Sequence, residues 1–172
     1  MYFVDINTTM LYISYQGIYD GQNYEDANTP KQINTALGKG FSCLIDVWRV
    51  DNKLYVGNGQ PVIEVTEKYI QGPRFWINAV NEDMQTWIAT QSSTLYPNYF
   101  HFDASTPPPP YATASNGKLI TPGTVPINTS SVMFLPEIND RSLLTMVKVR
   151  AYAICSTYLF TIRRMRNEGV WY

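Results

Sequence analysis

The segment FSCLIDVWRV, residues Phe41–Val50, constrains the fold more than any other stretch of this chain. It is apolar at odd and even positions alike, so a strand built from it cannot leave one face in water. Strands of this kind belong to sheets covered on both faces, which in practice are parallel sheets joined through helices. The flanks agree. Thr29-Pro30 opens a helix over KQINTALGKG, with Thr as N-cap, Pro at the first helical position, and Gly38 and Gly40 at the end. On the other side, Asp51-Asn52-Lys53 turns the chain into LYVGN, a hairpin-like extension.

The same alternation runs through the rest of the chain, with no internal repeat. Met10–Tyr15 (MLYISY) reads as a strand ending at Gly17, and Arg74–Val80 (RFWINAV) as another. Ile63–Ile70 reads as a short helical stretch stopped by Gly72-Pro73. Asn81–Gln91 is amphipathic, with Met84, Trp87 and Ile88 at helical spacing. Tyr99–Asp103, Leu119–Thr121, Val132–Leu135 and Ala151–Cys155 are further strand candidates. A helix over Ser156–Arg166 carries Arg163, Arg164 and Arg166 near its C-terminal end, where cations suit the dipole. Ser105–Asn116 (STPPPPYATASN) is of low complexity, and its four prolines require an extended surface loop. Six or seven strands fit a doubly wound open sheet or a compact barrel. One domain of 172 residues favours the open sheet, because a barrel typically takes ~250 residues.

Composition narrows the function classes. Apolar residues at 45% against 16% charged exclude a disordered tail. A formal net charge of −1 creates no broad field for a nucleic-acid backbone or an anionic membrane. No apolar run reaches the ~18–20 residues of a membrane span. The N-terminal MYFVDINTTMLYISYQG lacks a basic segment and is interrupted by Asp5 and Asn7, so it does not read as a signal peptide. The expectation is a soluble protein, cytoplasmic or carried in a virion. The N-x-S/T patterns at Asn7 and Asn128 mean little without a secretory signal. Two cysteines, Cys43 and Cys155, and one histidine, His101, are too few for a four-ligand zinc site. A mechanism that needs two imidazoles is excluded by the same count.

Residues 14–61 carry a recognisable order. It runs Ser14-Tyr15-Gln16-Gly17, a polar loop, Ala27-Asn28-Thr29-Pro30, a helix ending LGKGF, then LIDVWRVDNKLYVGNGQP. This order resembles the glycerophosphodiester phosphodiesterase family, especially its short bacterial and viral members. There a strand ends in His-Arg-Gly and is followed by Glu-Asn-(Thr/Ser), a second strand carries Glu-x-Asp-Val, and a hairpin ends in His-Asp before Pro. Later stretches, RFWINAV, ITPGTVPINTSSVMFLPE and AYAICSTYL, are similar too, so the resemblance covers residues 11–160 or so. It implies a short or incomplete TIM-type (β/α) barrel and reverses the preference for an open parallel α/β sheet, which stays as the alternative.

Carried over position by position, the resemblance implies a dismantled site. The two family histidines fall at Tyr15 and Asn58, and the phosphate-gripping Arg at Gln16. The metal-holding acids fall at Ala27, Leu44, Asp46 and Gly59, and the acid and Lys of the next strand at Asn78 and Val80. Only Asp46 keeps its chemistry. A hard divalent cation needs several oxygen ligands, largely carboxylates. Without the cation, the Arg and the imidazole pair, little stabilises charge on a phosphoryl oxygen or moves a proton, and each loss costs roughly 10²-fold or more. The expectation is therefore an inactive phosphodiesterase-like barrel with no cofactor or metal. It would serve as a binding or structural module that meets a protein partner or its own copies, as in a viral assembly.

Two other readings stand beside it. One is a metal-dependent phosphodiesterase rebuilt around Asp46, Glu25 and Asn78. The other is a binder of a small phosphorylated or sugar-like ligand at the mouth. The remaining features have bland explanations. Cys43 and Cys155 read as small core groups, and His101, between Phe100 and Phe102, as a packed or surface residue. Pro108-Pro109-Pro110-Tyr111 matches the Pro-Pro-x-Tyr ligand of WW domains, but so short a pattern is common by chance and reads as a plain loop.

Overall fold

The computed structural model describes residues 10–102, 112–121, 127–139 and 150–168. The Asn7 sequence pattern, the first nine residues of the N-terminal segment read for targeting, Asp103 and the Pro108–Tyr111 motif lie outside the described residues. The strands are β1 (Leu11–Tyr15), β2 (Ser42–Val50), β3 (Lys53–Val56), β4 (Ile63–Val65), β5 (Phe75–Ala79), β6 (Tyr99–Phe100), β7 (Ala112–Thr113), β8 (Leu119–Thr121), β9 (Ser131–Phe134) and β10 (Ala153–Ser156). Three α-helices are described: α1 (Pro30–Gly38), α2 (Glu82–Ala89) and α3 (Leu159–Glu168). Helix α1 starts as its sequence requires: Thr29 Oγ1 accepts a hydrogen bond from the Gln32 amide, with Pro30 at the first position.

All ten strands belong to one mixed sheet. Its central run is parallel, in the order β6-β5-β2-β1-β10-β9-β8. Strand β7 pairs antiparallel with β8, and the end of β2 continues into the antiparallel β3–β4 ribbon. Among the described residues the ladder is not closed: no strand pairing joins β6 to β7. These residues form an open α/β arrangement without the continuous ladder of a barrel. A polar bridge stands at the gap instead. The Ser115 amide donates to the Tyr99 carbonyl at 2.8 Å, Ser115 Oγ accepts from the Tyr99 amide at 2.9 Å, and the Asn116 amide donates to Asn98 Oδ1 at 2.8 Å.

Side chains show how far the sheet curls. Ile13, Leu44, Trp76, Phe100, Ile120, Val132, Phe134, Ala153 and Cys155 come from strands across the sheet and share one buried cluster. Phe100 of β6 stacks on Phe102 at 5.0 Å, and Phe102 on Phe134 of β9 at 5.2 Å. Strands β6 and β9 are five steps apart, about 24 Å in a flat sheet at ~4.8 Å per step. The sheet therefore wraps one face around its own side chains. Its other face is covered by helices. Cys43, Ile45 and Val47 of β2, with Phe75, Ile77 and Ala79 of β5, pack with Ile33 and Ala36 of α1 and Met84 and Ile88 of α2. Met133 and Ile154 pack with Leu159 and Ile162 of α3. This is why β2 is apolar on both faces.

Three sequence readings need correction. Ile63–Ile70 is not helical through its length. Ile63–Val65 pairs with β3, and only Glu67–Ile70 forms a 3₁₀ turn, capped by Thr66. The β-branched residues found an exposed edge to join, a tertiary choice that propensity does not encode. The Pro-rich stretch is not loop throughout: Ala112 and Thr113, beyond the prolines, form β7. The strand count rises accordingly from six or seven to ten. The arginines of α3 are tied into the chain. Arg163 lies over the Phe41 ring at 4.6 Å and donates to the Lys39 carbonyl, while Arg164 meets Glu168 at 3.7 Å.

Candidate functional site

Because the central strands are parallel, their C-terminal ends share one rim, where α/β sheets place their sites. Register fixes what meets there. Asp46 of β2 lies beside Asn78 of β5, and Tyr15 of β1 beside Leu44 of β2. Leu44 points into the interior cluster and is fully buried, so Asp46, two residues on and on the same face, stands at the rim above it.

Asp46 is held on every polar atom. Its Oδ2 accepts from the Gln16 side-chain amide at 2.7 Å and its Oδ1 from the Asn78 side-chain amide at 2.8 Å. Its backbone is gripped by Asn28, which donates to the Asp46 carbonyl at 2.7 Å and accepts from the Asp46 amide at 3.1 Å. Asn28 also donates to the Gly57 carbonyl at 2.9 Å, tying the start of α1 to the β3–β4 ribbon. Burial raises the Asp46 carboxyl above its ordinary range, and the amide bonds from Asn78 and Gln16 pull it only part of the way back. Gln16 and Asn28 both hold left-handed backbone, at φ 54° and 57°. Such conformations need support from their surroundings, and here the two residues bond to each other, Asn28 N to Gln16 O at 2.8 Å. Gly17 is required beside them, because at φ +82° a Cβ would lie 2.8 Å from the Gln32 and Ile33 backbone.

The other part of the rim is different. A cavity of about 340 Å³ is lined by Tyr15, Tyr24, Leu135, Glu137, Thr157 and Tyr158, from the ends of β1, β9 and β10 and the loop after β1. Glu137 Oε1 accepts from the Thr157 amide at 2.9 Å, the Thr157 hydroxyl at 3.0 Å and the Ser156 hydroxyl at 3.1 Å. Glu137 Oε2 is shielded from solvent and receives no hydrogen bond among the described residues. Tyr24 donates its phenol hydrogen to Thr157 Oγ1 at 3.1 Å. The Tyr15 phenol is held far above its usual range, first by burial and then by the Asp46 carboxylate. The neighbouring Tyr24 phenol is the first cause that raises Tyr158.

The residues singled out in the sequence divide accordingly. Tyr15, Gln16, Asp46 and Asn78 converge on the rim. Leu44 belongs to the interior core. Ala27 is buried in the turn before α1, where its amide bonds the Tyr24 carbonyl. Asn58 is exposed and donates to the Tyr24 carbonyl at 3.0 Å, and Gly59 is exposed beside it at φ +73°. Val80 lies just beyond β5, 37% exposed, and Glu25 is exposed in the 3₁₀ turn Tyr24–Asp26. His101 is exposed after β6. Cys43 and Cys155 are buried free thiols. Burial pushes Cys43 up to about 11, and Ser14 Oγ donates to its sulfur at 3.0 Å. Sequence reading missed Glu137, Thr157 and the anchoring role of Asn28. Only the position of Glu137, just past an apolar strand in FLPE, hinted at a site.

These residues do not fit a divalent cation. No group of three or more His, Cys, Asp or Glu converges among the described residues. Asp46 stands as one carboxylate among neutral amides, with an amide hydrogen already on each oxygen, which is too little charge to hold such a cation. No described helix is long and apolar enough to cross a membrane. Comparison with protein-family models, curated proteins and solved structures finds no match.

Proposed function

We propose that this chain is a non-catalytic, phosphodiesterase-like (β/α) barrel frame, left open between β6 and β7, that serves as a binding or structural module in an assembly such as a viral particle. The curled parallel run with helices outside and polar residues at the strand ends supports the barrel-type reading. One observation carries the functional part: each Asp46 oxygen takes a short hydrogen bond from a neutral amide. A carboxylate arranged this way braces the rim. It offers a metal a single carboxylate whose two oxygens are each already engaged, and among the described residues no second acid, base or guanidinium stands with it to move a proton or grip a phosphoryl group. The neighbours that do contact it, Gln16, Asn28 and Asn78, are all neutral.

The test pairs calorimetric titration of Mg²⁺ and Ca²⁺ with a generic phosphodiester assay on wild type and Asp46→Ala. Neither cation binds tightly, and turnover is the same in both proteins. Asp46-dependent hydrolysis would overturn the reading in favour of a rebuilt metal site. Light scattering addresses the assembly role, with a mass above the monomer or a co-purified partner as the expected result. A monomer at every concentration, with nothing bound, counts against it.

A further inference from the structure

We infer that the cavity between β1, β9 and β10 is a binding site for an alkylammonium group, either a small free amine or a lysine side chain presented by a partner. Its volume, about 340 Å³, lies in the range of small-ligand sites. The lining decides the chemistry. Tyr24 gives its hydroxyl hydrogen to Thr157, and Thr157 gives its own to Glu137 Oε1. Ser156 and the Thr157 amide also point their hydrogens at that oxygen. The Ser156 and Thr157 donors are thus directed at the carboxylate, while Tyr24 donates to Thr157 and is itself bonded to Tyr158, so the acceptor capacity left for an occupant is that of Glu137. Among the described residues Glu137 Oε2 has no donor, and a buried carboxylate oxygen without a partner is costly.

Charge points the same way. Among the described residues neither Glu137 nor Asp46 makes an ion pair, and Asp46 acts on the Tyr15 phenol that forms one wall. Two carboxylates near one cavity, with no lysine or arginine among the described residues of its lining, repel a phosphate and attract a cation. Three tyrosine rings and Leu135 supply the rest of the wall. Aromatic faces hold ammonium groups and tolerate the attached alkyl chain. A divalent metal is the wrong cation, because a single carboxylate among the described residues faces the space. This inference does not rest on the Asp46 reading above, since it concerns the other part of the rim.

The test is thermal shift with ligand-observed NMR, because a ligand of the folded state must raise the melting temperature. The probes are n-butylammonium, Nα-acetyl-lysine methylamide, pentan-1-ol, pentanoate and glycerol 3-phosphate. Both ammonium probes should stabilise the protein saturably. Pentan-1-ol, the uncharged control of similar length, should bind at least about tenfold more weakly, and the two anions not at all. Tighter binding of the lysine probe assigns a partner's side chain; tighter binding of butylammonium assigns a free amine. Glu137→Gln keeps the Oε1 acceptor and puts an amide donor where Oε2 stands, so it should fold and lose at least about tenfold in ammonium affinity. Tyr158→Leu removes a wall ring without touching the carboxylate and should weaken the same two probes. Equal binding of pentan-1-ol, tighter binding of either anion, or unchanged ammonium affinity in both variants overturns the assignment. So does the absence of binding by either ammonium probe at tens of millimolar. Activity on phosphodiesters moves none of these readouts, so the two tests fail separately.

Discussion

The rim of this sheet holds two carboxylates, and the protein treats them in opposite ways. Asp46 is balanced, with one amide hydrogen on each oxygen and Asn28 on its backbone above and below. Glu137 is lopsided: three donors crowd Oε1 and none reaches Oε2. The first arrangement is what a structural carboxylate needs, because each oxygen that burial strips of water receives a hydrogen bond locally. The second leaves capacity unused beside a cavity. The lesson concerns satisfaction rather than residue type. An acid at a strand end marks a site by what it still lacks.

Substitutions should break this contrast in a definite order. The largest loss is expected from Asn28→Ala. It removes three side-chain hydrogen bonds from a buried position and forces alanine to φ 57°. At ~1 kcal/mol per bond plus the desolvated partners left behind, chemical denaturation should show about 3 kcal/mol of destabilisation. Glu137→Ala comes next. It strands the Thr157 amide and two hydroxyls, and urea unfolding should record a loss of about 2 kcal/mol, while Glu137→Gln stays within about 0.5 kcal/mol of wild type. If Gln proves as damaging as Ala, the orphan oxygen matters to the fold and the contrast dissolves.

Asp46→Asn should have a smaller effect at neutral pH, about 1 kcal/mol, because its amide faces one of the two amide donors, with its further signature in the pH dependence. The folded-state value of Asp46 is raised, so the folded protein holds its proton more tightly than the unfolded chain. That contribution is fully present below the ordinary aspartate value and is lost as pH rises through the raised one. Stability profiles of wild type and D46N should therefore differ in slope across that window and run parallel above it. Asn58→Ala is expected to do least. One exposed bond to the Tyr24 carbonyl is lost, and the melting temperature should barely move, corresponding to under ~0.5 kcal/mol. A large effect would place the hairpin tip in the rim's support.

The elements were legible wherever local chemistry dictated them. Thr29-Pro30 started α1 as read, and the two-sided apolar run of β2 foretold covering on both faces. Legibility failed at Ile63–Val65, where a free edge rather than a local pattern made the strand, and at Ala112–Thr113, masked by the prolines before them. The rim was half legible. Tyr15, Gln16, Asp46 and Asn78 stood out as polar residues at strand ends. Asn28 did not show its role, because its three partners sit 18 and 29 positions away. Glu137 reaches the same rim only because β9 and β10 run parallel beside β1.

By itself, the amino-acid order determined a covered parallel sheet, nearly neutral overall, with one lone acid among amides in its first half. Periodicity, capping and composition are local properties, and a chain carries them wherever it goes. Tertiary structure alone decided how far the sheet curls, which strand edge stays unpaired, and which carboxylate keeps an unsatisfied oxygen. Those depend on hydrogen bonds and packing between residues far apart in the chain, whose meeting no local pattern records.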